Sequence, residues 1–167
     1  MKCFGIVGWS GSGKTTLLVK LIAHLGKQGF SVSTIKHAHQ DFDIDKEGKD
    51  SYRHRHAGAK EVLVASRRRW ALMHELRDEK EPVLRRLIDR MHRVDILLVE
   101  GFKREPIPKI ELYRQDNHKA FLYPHDKNII ALACDVPLKA CPLPAFSLDD
   151  IPSLASFIIG YPSAEAF

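Results

Sequence analysis

A chain of 167 residues with 44% hydrophobic and 28% charged residues suits one domain with a sizeable core, and we predict a single domain over residues 1–167. No apolar run approaches the roughly 20 residues of a membrane span, and the N-terminus lacks a signal peptide's apolar region, so we expect a cytoplasmic protein without a membrane partner. Lysine and arginine (26) outnumber aspartate and glutamate (21), and the net charge of +5 suits either nucleic acid or multiply phosphorylated small molecules.

The first motif along the chain is a glycine-rich loop. Residues 8–15 read GWSGSGKT and fit the phosphate-binding pattern G-x-x-x-x-G-K-[ST]. An apolar run before the loop, Cys3–Val7, predicts a buried strand. Apolar residues at helical spacing after the loop predict an amphipathic helix: Leu17, Leu18, Leu21, Ile22 and Leu25. Strand, loop and helix are the context that this motif requires, so we predict a P-loop that binds a nucleoside triphosphate.

Each residue type in this loop has a chemical reason. Glycines permit backbone conformations that turn successive N–H groups into one concavity, which opens on an anion-attracting helix N-terminus. We therefore expect the following residues to bind the nucleotide: Gly8, Ser10, Gly11, Ser12, Gly13, Lys14, Thr15 and Thr16. Lys14 supplies charge to the β- and γ-phosphates and is a predicted catalytic residue, and the Thr15 hydroxyl is placed to ligate Mg²⁺.

A polar segment follows the next predicted strand. The first helix is expected to stop at Gln28 and Gly29, and residues 30–35 predict a strand. Residues 36–51 are too polar for a core, and they follow a strand end, where α/β folds bind ligands. Their aspartates belong either to a solvated loop or to a Mg²⁺ site, and the candidates are Asp41, Asp43, Asp45 and Asp50. His37 and His39 resemble a metal pair but have no evident third ligand.

Residues 50–93 predict a helix, a hairpin and a second helix. The helix of this segment is predicted to start at Asp50 or Ser51, one of which is its N-cap residue. The strands of the hairpin cover residues 61–66 and 70–74. The turn between the strands, Arg67–Arg69, is interpreted as solvated, because nucleic-acid binding needs more interleaved aromatics, and we expect no nucleic-acid partner. The second helix is predicted to begin at Pro82 and to present one apolar face: Val83, Leu84, Leu87, Ile88 and Met91.

The strongest buried-strand pattern in the chain is Val94–Gly101. An apolar run that ends in a carboxylate and a glycine is typical of a Walker B strand, whose carboxylate emerges beside the phosphates and supports Mg²⁺. Glu100 is therefore the second predicted catalytic and metal-binding residue. Lys103 follows it closely and is predicted to meet a phosphate.

The remaining elements complete an alternating pattern. Residues 109–113 and 128–134 predict strands, and a last short helix starts at Asp149 or Asp150. Alternating strands and helices predict an α/β fold of the P-loop NTPase type, with a mostly parallel sheet flanked by helices in a single domain.

Taken in order, these motifs resemble one family. The residues that carry the resemblance are Gly8–Thr16, Ile35–His37, Gly48–Ser51, Ala57–Ala59, Val64–Ser66, Arg69–Met73, Leu98–Lys103, Ile130–Ala131 and Asp135–Leu138. They are similar to the molybdopterin-guanine dinucleotide biosynthesis protein B (MobB) family from about residue 4 to residue 138. The resemblance implies a homodimer that binds GTP and has weak GTPase activity. It also implies an accessory role in molybdenum cofactor biosynthesis beside the nucleotidyltransferase MobA, in adding GMP to molybdopterin to form the guanine dinucleotide cofactor.

The preference for guanine follows from this resemblance alone, because the usual guanine-reading motif N-K-x-D is absent. Asp135 follows the strand at 128–134, and its carboxylate suits the N1–H and N2–H groups of guanine, which adenine does not offer. The alternative is a loop aspartate that caps a turn.

A second class of function also stays open, a P-loop kinase that phosphorylates a small metabolite. Such a kinase usually carries a lid with several arginines, and the candidates are Arg85, Arg86, Arg90 and Arg93. The helical spacing of Arg86, Arg90 and Arg93 favours the polar face of a helix instead.

Overall fold

The chain folds into two units in the computed structural model, which describes residues 1–38, 42–138 and 141–162. The first unit comprises Met1–His37 and Leu87–Phe167, and the second, Ala38–Arg86, is inserted into its sequence. The single domain expected over residues 1–167 stays a prediction.

Four α-helices and eight β-strands lie in the described residues, beside two short 3₁₀ helices. In chain order they are β1 (Lys2–Gly8), α1 (Lys14–Lys27), β2 (Val32–Lys36), α2 (Asp50–His56), β3 (Glu61–Ala65), β4 (Trp70–His74), α3 (Leu84–Ile88), β5 (Ile96–Glu100), β6 (Lys109–Tyr113), β7 (Ile129–Cys134), β8 (Ala145–Ser147) and α4 (Ile151–Gly160). Every helix among them is too short or too polar to cross a membrane.

The first unit is built on a six-stranded sheet. Its strand order is β2-β5-β1-β6-β7-β8, and each neighbouring pair is parallel. The predicted mostly parallel sheet flanked by helices is confirmed. Because β1 lies between β5 and β6, the carboxyl ends of all three strands meet at one edge, and the glycine-rich loop leaves from the middle of that edge.

The core explains why this sheet forms. Four consecutive residues of β5, Ile96–Val99, are fully buried, as expected for a central strand covered on both faces. The apolar stripe of α1 packs into the same cluster as α4, and Leu21 and Leu154 in it are completely buried. Burial of one such leucine contributes about 2 kcal/mol, so the stripe holds α1 and the loop before it against the sheet.

The structure shortens one predicted helix and adds a strand that the sequence analysis did not predict. The helix predicted to begin at Pro82 spans only Leu84–Ile88. Val83 precedes it and is exposed, and Met91 lies beyond its end. Of the predicted apolar face, only Leu84 and Ile88, four residues apart, are deeply buried. Burying this one pair requires little more than one helical turn, so the helix is short. Strand β8 was not predicted, because three residues are too few to display an alternating pattern.

The second unit contains α2 and the β3–β4 hairpin, whose strands pair antiparallel as predicted. Arg67–Arg69 form the turn, which Ser66 closes by donating its N–H to Arg69 O at 2.9 Å. Helix α2 starts at Asp50, with Lys49 rather than Asp50 or Ser51 at the N-cap position.

A glycine substitution tests the close packing at the end of β5. Gly101 has φ +93°, and an added Cβ would lie 2.6 Å from the Cβ of His37. We expect Gly101→Ala to lower the free energy of unfolding by about 2–4 kcal/mol through backbone strain and overpacking, measured by urea denaturation. Gly26→Ala in α1, where an added Cβ meets nothing within 4 Å, is the control and should cause no loss. Equal urea midpoints for Gly101→Ala and the wild type would contradict this packing.

Candidate functional site

The glycine-rich loop, Gly8–Thr15, joins β1 to α1, and its glycines are required by the backbone. Gly11 and Gly13 have φ of +79° and +93°, in the left-handed region that other residues rarely adopt. At Gly8 an added Cβ would lie 2.6 Å from the carbonyl oxygen of Leu112 on β6. The loop therefore keeps its shape only with glycine at these three positions.

This loop leaves backbone donors available at its centre. Gly13 is the N-cap residue of α1 and provides no side-chain cap, so the first N–H groups of the helix keep free hydrogen-bonding capacity. The positive end of the helix dipole lies at the same place. Gly8 and Ser12 are buried, and the predicted ligand residues exposed to solvent are Ser10, Gly11, Thr15 and Thr16. Together these features make a cradle that fits a phosphate group.

Lys14 folds back over the loop. Its ammonium group donates to the carbonyl oxygens of Gly8 at 3.1 Å and Trp9 at 2.9 Å. Burial lowers the pKa of Lys14 below its ordinary value, because it takes the ammonium out of water. A phosphate arriving in the cradle would be a stronger acceptor than these two carbonyls.

Glu100 and Lys103 act electrostatically on Lys14. The charge of Glu100 raises the pKa of Lys14, and the charges of Lys103 and Lys36 lower it. Glu100 ends β5 in register with Ile6 of β1 and Lys36 of β2, and it is half-buried. Lys103 lies with its ammonium 5.6 Å from the centre of the Trp9 ring. The structure thus gathers Lys14, Glu100 and Lys103 at one edge, and their catalytic and binding roles stay predictions.

The end of β5 is held by its neighbour β2. The His37 N–H donates to Glu100 O at 2.8 Å, and the His37 ring stacks on Phe102 at 4.7 Å between centroids. Since Gly101 leaves no room for a Cβ beside His37, the three residues fix the backbone that carries Glu100. His39, the second histidine of the proposed metal pair, lies outside the described residues.

The aspartates after β2 have structural partners. Arg55 pairs with Asp43 at 2.6 Å and Asp45 at 2.9 Å, within the second unit. Asp50 is the first residue of α2, and Asp41 lies outside the described residues. Across the described ranges, no three histidines, cysteines or carboxylates are grouped to hold a metal.

The residues at the loop nevertheless fit Mg²⁺ in the form that P-loop proteins use. The Thr15 hydroxyl and the Glu100 carboxylate are hard oxygen donors, which Mg²⁺ prefers. Phosphate oxygens of a bound nucleotide would supply further ligands that do not come from the protein. A Mg²⁺ ion held by Thr15 and Glu100 would help to neutralise the charge that develops in phosphoryl transfer.

Arg114 is a residue of this site that the sequence analysis missed. Its Nε–H donates to the carbonyl oxygen of Ser12 at 2.9 Å, and its Nη1 lies 4.0 Å from Oδ2 of Asp135. Asp135 Oδ1 accepts the backbone N–H of Gln115 at 3.0 Å, which is the turn-capping role that the sequence left open. The guanine contact of Asp135 stays a prediction.

A cavity of about 240 Å³ lies beyond the ends of β6 and β7. It is lined by Tyr113, Gln115, Phe121, Tyr123, Val136, Pro137, Leu138 and Cys141. The rings of Tyr113 and Phe121 stack at 4.0 Å between centroids. An aromatic lining beside a carboxylate suits a planar heterocycle with N–H donors. Sequence patterns missed this cavity because its lining comes from separate segments.

Comparisons with known proteins agree with one another. The sequence model of the family described as molybdopterin guanine dinucleotide synthesis protein B matches residues 3–135. The chain is 47% identical over 154 residues to the molybdopterin-guanine dinucleotide biosynthesis adapter protein of Escherichia coli (strain K12), covering 90% of this chain and 87% of that relative. It is 46% identical over 156 residues to the protein of the same description from Haemophilus influenzae, covering 92% of this chain and 85% of that relative.

Solved structures give the same answer. A crystal structure of molybdopterin-guanine biosynthesis protein B (mobB) aligns with a TM-score of 0.74 and 25% identity, covering 94% of this chain and 97% of that one. A MobB protein homolog from Bacillus stearothermophilus aligns with a TM-score of 0.67 and 27% identity, covering 95% of this chain and 98% of that one.

Removal of the Lys14 ammonium tests whether the loop is the phosphate site. We expect Lys14→Ala to weaken the binding of a nucleoside triphosphate at least about tenfold, or about 1.4 kcal/mol, by titration calorimetry. The control is Lys20→Ala on the same helix, where a half-exposed side chain pairs with the exposed Asp149, and its affinity should stay within about twofold of wild type. Unchanged affinity in Lys14→Ala would mean that the phosphates bind elsewhere.

Proposed function

Because the chain belongs to the molybdopterin-guanine dinucleotide biosynthesis protein B (MobB) family, we propose that it is a GTP-binding adapter protein that hydrolyses GTP slowly. Family membership assigns the chain to molybdenum cofactor biosynthesis, as the sequence predicted. The observation that carries the GTP-dependent part is the P-loop with Lys14 and Glu100 at the carboxyl edge of the sheet.

The phosphates have a defined set of partners in this proposal. Backbone N–H groups from Gly11 to Thr16 hold the β- and γ-phosphates, and the Lys14 ammonium exchanges its two carbonyl acceptors for phosphate oxygens. Thr15 and Glu100 hold Mg²⁺, Glu100 through water, and Lys103 supports the γ-phosphate. Hydrolysis then depends on how well Lys14 stabilises negative charge on the transferring group and on how well Glu100 supports Mg²⁺.

The base lies in the aromatic cavity in this proposal. Asp135 uses one oxygen to accept the Gln115 N–H, and in this proposal its other oxygen, which lies 4.0 Å from Arg114 Nη1, accepts from the N1–H and N2–H of guanine. Adenine presents no such pair of donors, so the carboxylate favours GTP over ATP. Tyr113 and Phe121 offer ring faces for stacking.

Partners follow from the adapter role. An adapter acts with another protein, and we propose that MobA is that partner and that molybdopterin or the molybdenum cofactor is handled between them. A homodimer is proposed as well, since the β3–β4 hairpin exposes apolar side chains that a second copy would cover: Leu63, Val64, Trp70 and Leu72.

The free thiols Cys3, Cys134 and Cys141 suit a reducing compartment, so we place the protein in the cytoplasm.

The kinase alternative lacks a supporting observation. Of the candidate lid arginines, Arg85 and Arg86 lie on the five-residue helix α3, and Arg86 is 3.5 Å from Glu79. Arg90 and Arg93 lie after that helix, so the polar helix face predicted for Arg86, Arg90 and Arg93 is wrong.

A conservative change at Glu100 tests the proposed role in hydrolysis. Glu100→Gln should slow GTP hydrolysis about tenfold or more, because the lost charge supports Mg²⁺ in the transition state more than in the bound state, and GTP affinity should change less than about threefold. Phosphate release and calorimetry measure the two quantities. Asp149→Asn, at a carboxylate that is 89% exposed, is the control and should hydrolyse GTP at the wild-type rate. A wild-type hydrolysis rate in Glu100→Gln would remove Glu100 from the mechanism.

The adapter role also predicts that this protein alone does not join GMP to molybdopterin. A P-loop grips the β- and γ-phosphates and favours cleavage at the γ-phosphate, whereas dinucleotide formation needs attack at the α-phosphate with pyrophosphate leaving. Purified protein incubated with GTP, Mg²⁺ and molybdopterin should release no pyrophosphate, and addition of MobA should start the reaction. Formation of the dinucleotide without MobA would overturn the adapter proposal.

A further inference from the structure

We propose that Arg114 is a positioning residue that sets the direction of the Gly13 N–H in the P-loop. The inference rests on the proposed binding of a nucleoside triphosphate at this loop. Its starting point is the hydrogen bond from Arg114 Nε to the carbonyl oxygen of Ser12, at 2.9 Å, which joins residues 102 positions apart in the chain.

Peptide geometry turns this contact into control of a donor. In a planar trans peptide, the carbonyl of one residue and the N–H of the next point in opposite directions. Arg114 holds the Ser12 carbonyl, so the Gly13 N–H points away from the guanidinium. That N–H has no acceptor within the described ranges, and it belongs to the stretch whose N–H groups are to hold a phosphate.

The loop needs such a restraint because its glycines are permissive. Ser12 lies between Gly11 and Gly13, which both have positive φ, and glycine accepts either orientation of a neighbouring peptide at low cost. If the peptide between Ser12 and Gly13 turned over, a carbonyl oxygen would face the phosphate and repel it. The Ser12 N–H donates to Trp9 O at 3.2 Å, so hydrogen bonds restrain the peptides on both sides of Ser12.

Arg114 is itself held in place for this role. It follows directly on β6, the strand beside β1, and its Nη2 lies 3.3 Å from where a Cβ on Gly13 would stand. Asp135 lies near its Nη1 and binds the N–H of the next residue, Gln115. The backbone of Arg114 is therefore held by β6 and by Asp135, and this places the guanidinium beside Gly13.

Three substitutions separate positioning from a direct contact between the Arg114 charge and a phosphate. Arg114→Gln keeps an N–H donor the same number of bonds from the backbone as Nε but removes the charge. Arg114→Lys keeps the charge but has carbon at that place, and Arg114→Met has neither. We expect the Lys and Met variants to bind Mg²⁺·GTP, Mg²⁺·ATP and pyrophosphate about tenfold more weakly, and the Gln variant to stay within about threefold of wild type.

The amide signal of Gly13 gives a readout of the bond between Arg114 and the Ser12 carbonyl that does not depend on nucleotide. In nucleotide-free ¹⁵N-labelled protein, the Gly13 resonance should keep its wild-type position in Arg114→Gln and shift in the Lys and Met variants. The control is Arg68→Gln in the exposed hairpin turn, which makes the same charge change and should alter neither the affinity nor the Gly13 signal. Circular dichroism checks that each variant folds.

The outcomes distinguish this inference from the function on which it rests. Binding retained by Lys and lost by Gln would identify a charge contact and overturn the positioning role. An unchanged Gly13 signal in all three variants would also overturn it, whatever the affinities are, and loss of affinity in all three with shifted signals would support it. If the wild type binds no nucleotide, the proposed function fails, and the Gly13 signal still tests the role of Arg114.

Discussion

The direction of a few backbone N–H groups is the constraint on which this molecule depends. A phosphate can be held between Gly11 and Thr16 only if successive amides converge, and convergence requires positive φ at Gly11 and Gly13. Because glycine is flexible, these conformations must be maintained from outside the loop. The sheet restrains the start of the loop, where Gly8 lies against Leu112 of β6. Helix α1 restrains the end of the loop, because its buried leucines hold the helix against the core.

Charge is arranged around this loop so that an anion completes it. Burial lowers the pKa of Lys14, and the positive charges of Lys103 and Lys36 lower it further, while the negative charge of Glu100 raises it. Lys14 donates to two loop carbonyls, which only partly balance its charge. In the proposed function, a nucleotide with Mg²⁺ would supply negative charge for the lysines and a cation for Glu100 at once.

The sequence carries the parts of this site that depend on local pattern. The P-loop, the buried run of β5 and the stripe of α1 were predictable because each is defined by residues close in the chain. Arg114 and the cavity were not predictable, since the Ser12–Arg114 bond spans 102 positions and depends on β6 lying beside β1. The predicted length of helix α3 was wrong for a related reason. Its apolar residues fit a helical pattern, but only one turn of the helix is buried.

Amide hydrogen exchange, followed by mass spectrometry with and without Mg²⁺·GTP, tests most directly the claim that loop amides hold the phosphates. We predict that GTP slows exchange most strongly in peptides covering residues 8–17, where the donors gain acceptors, with a smaller effect around residues 129–138, where the guanine base is proposed to bind. Saturating GTP with no change at residues 8–17, or slowing confined to other segments, would contradict it.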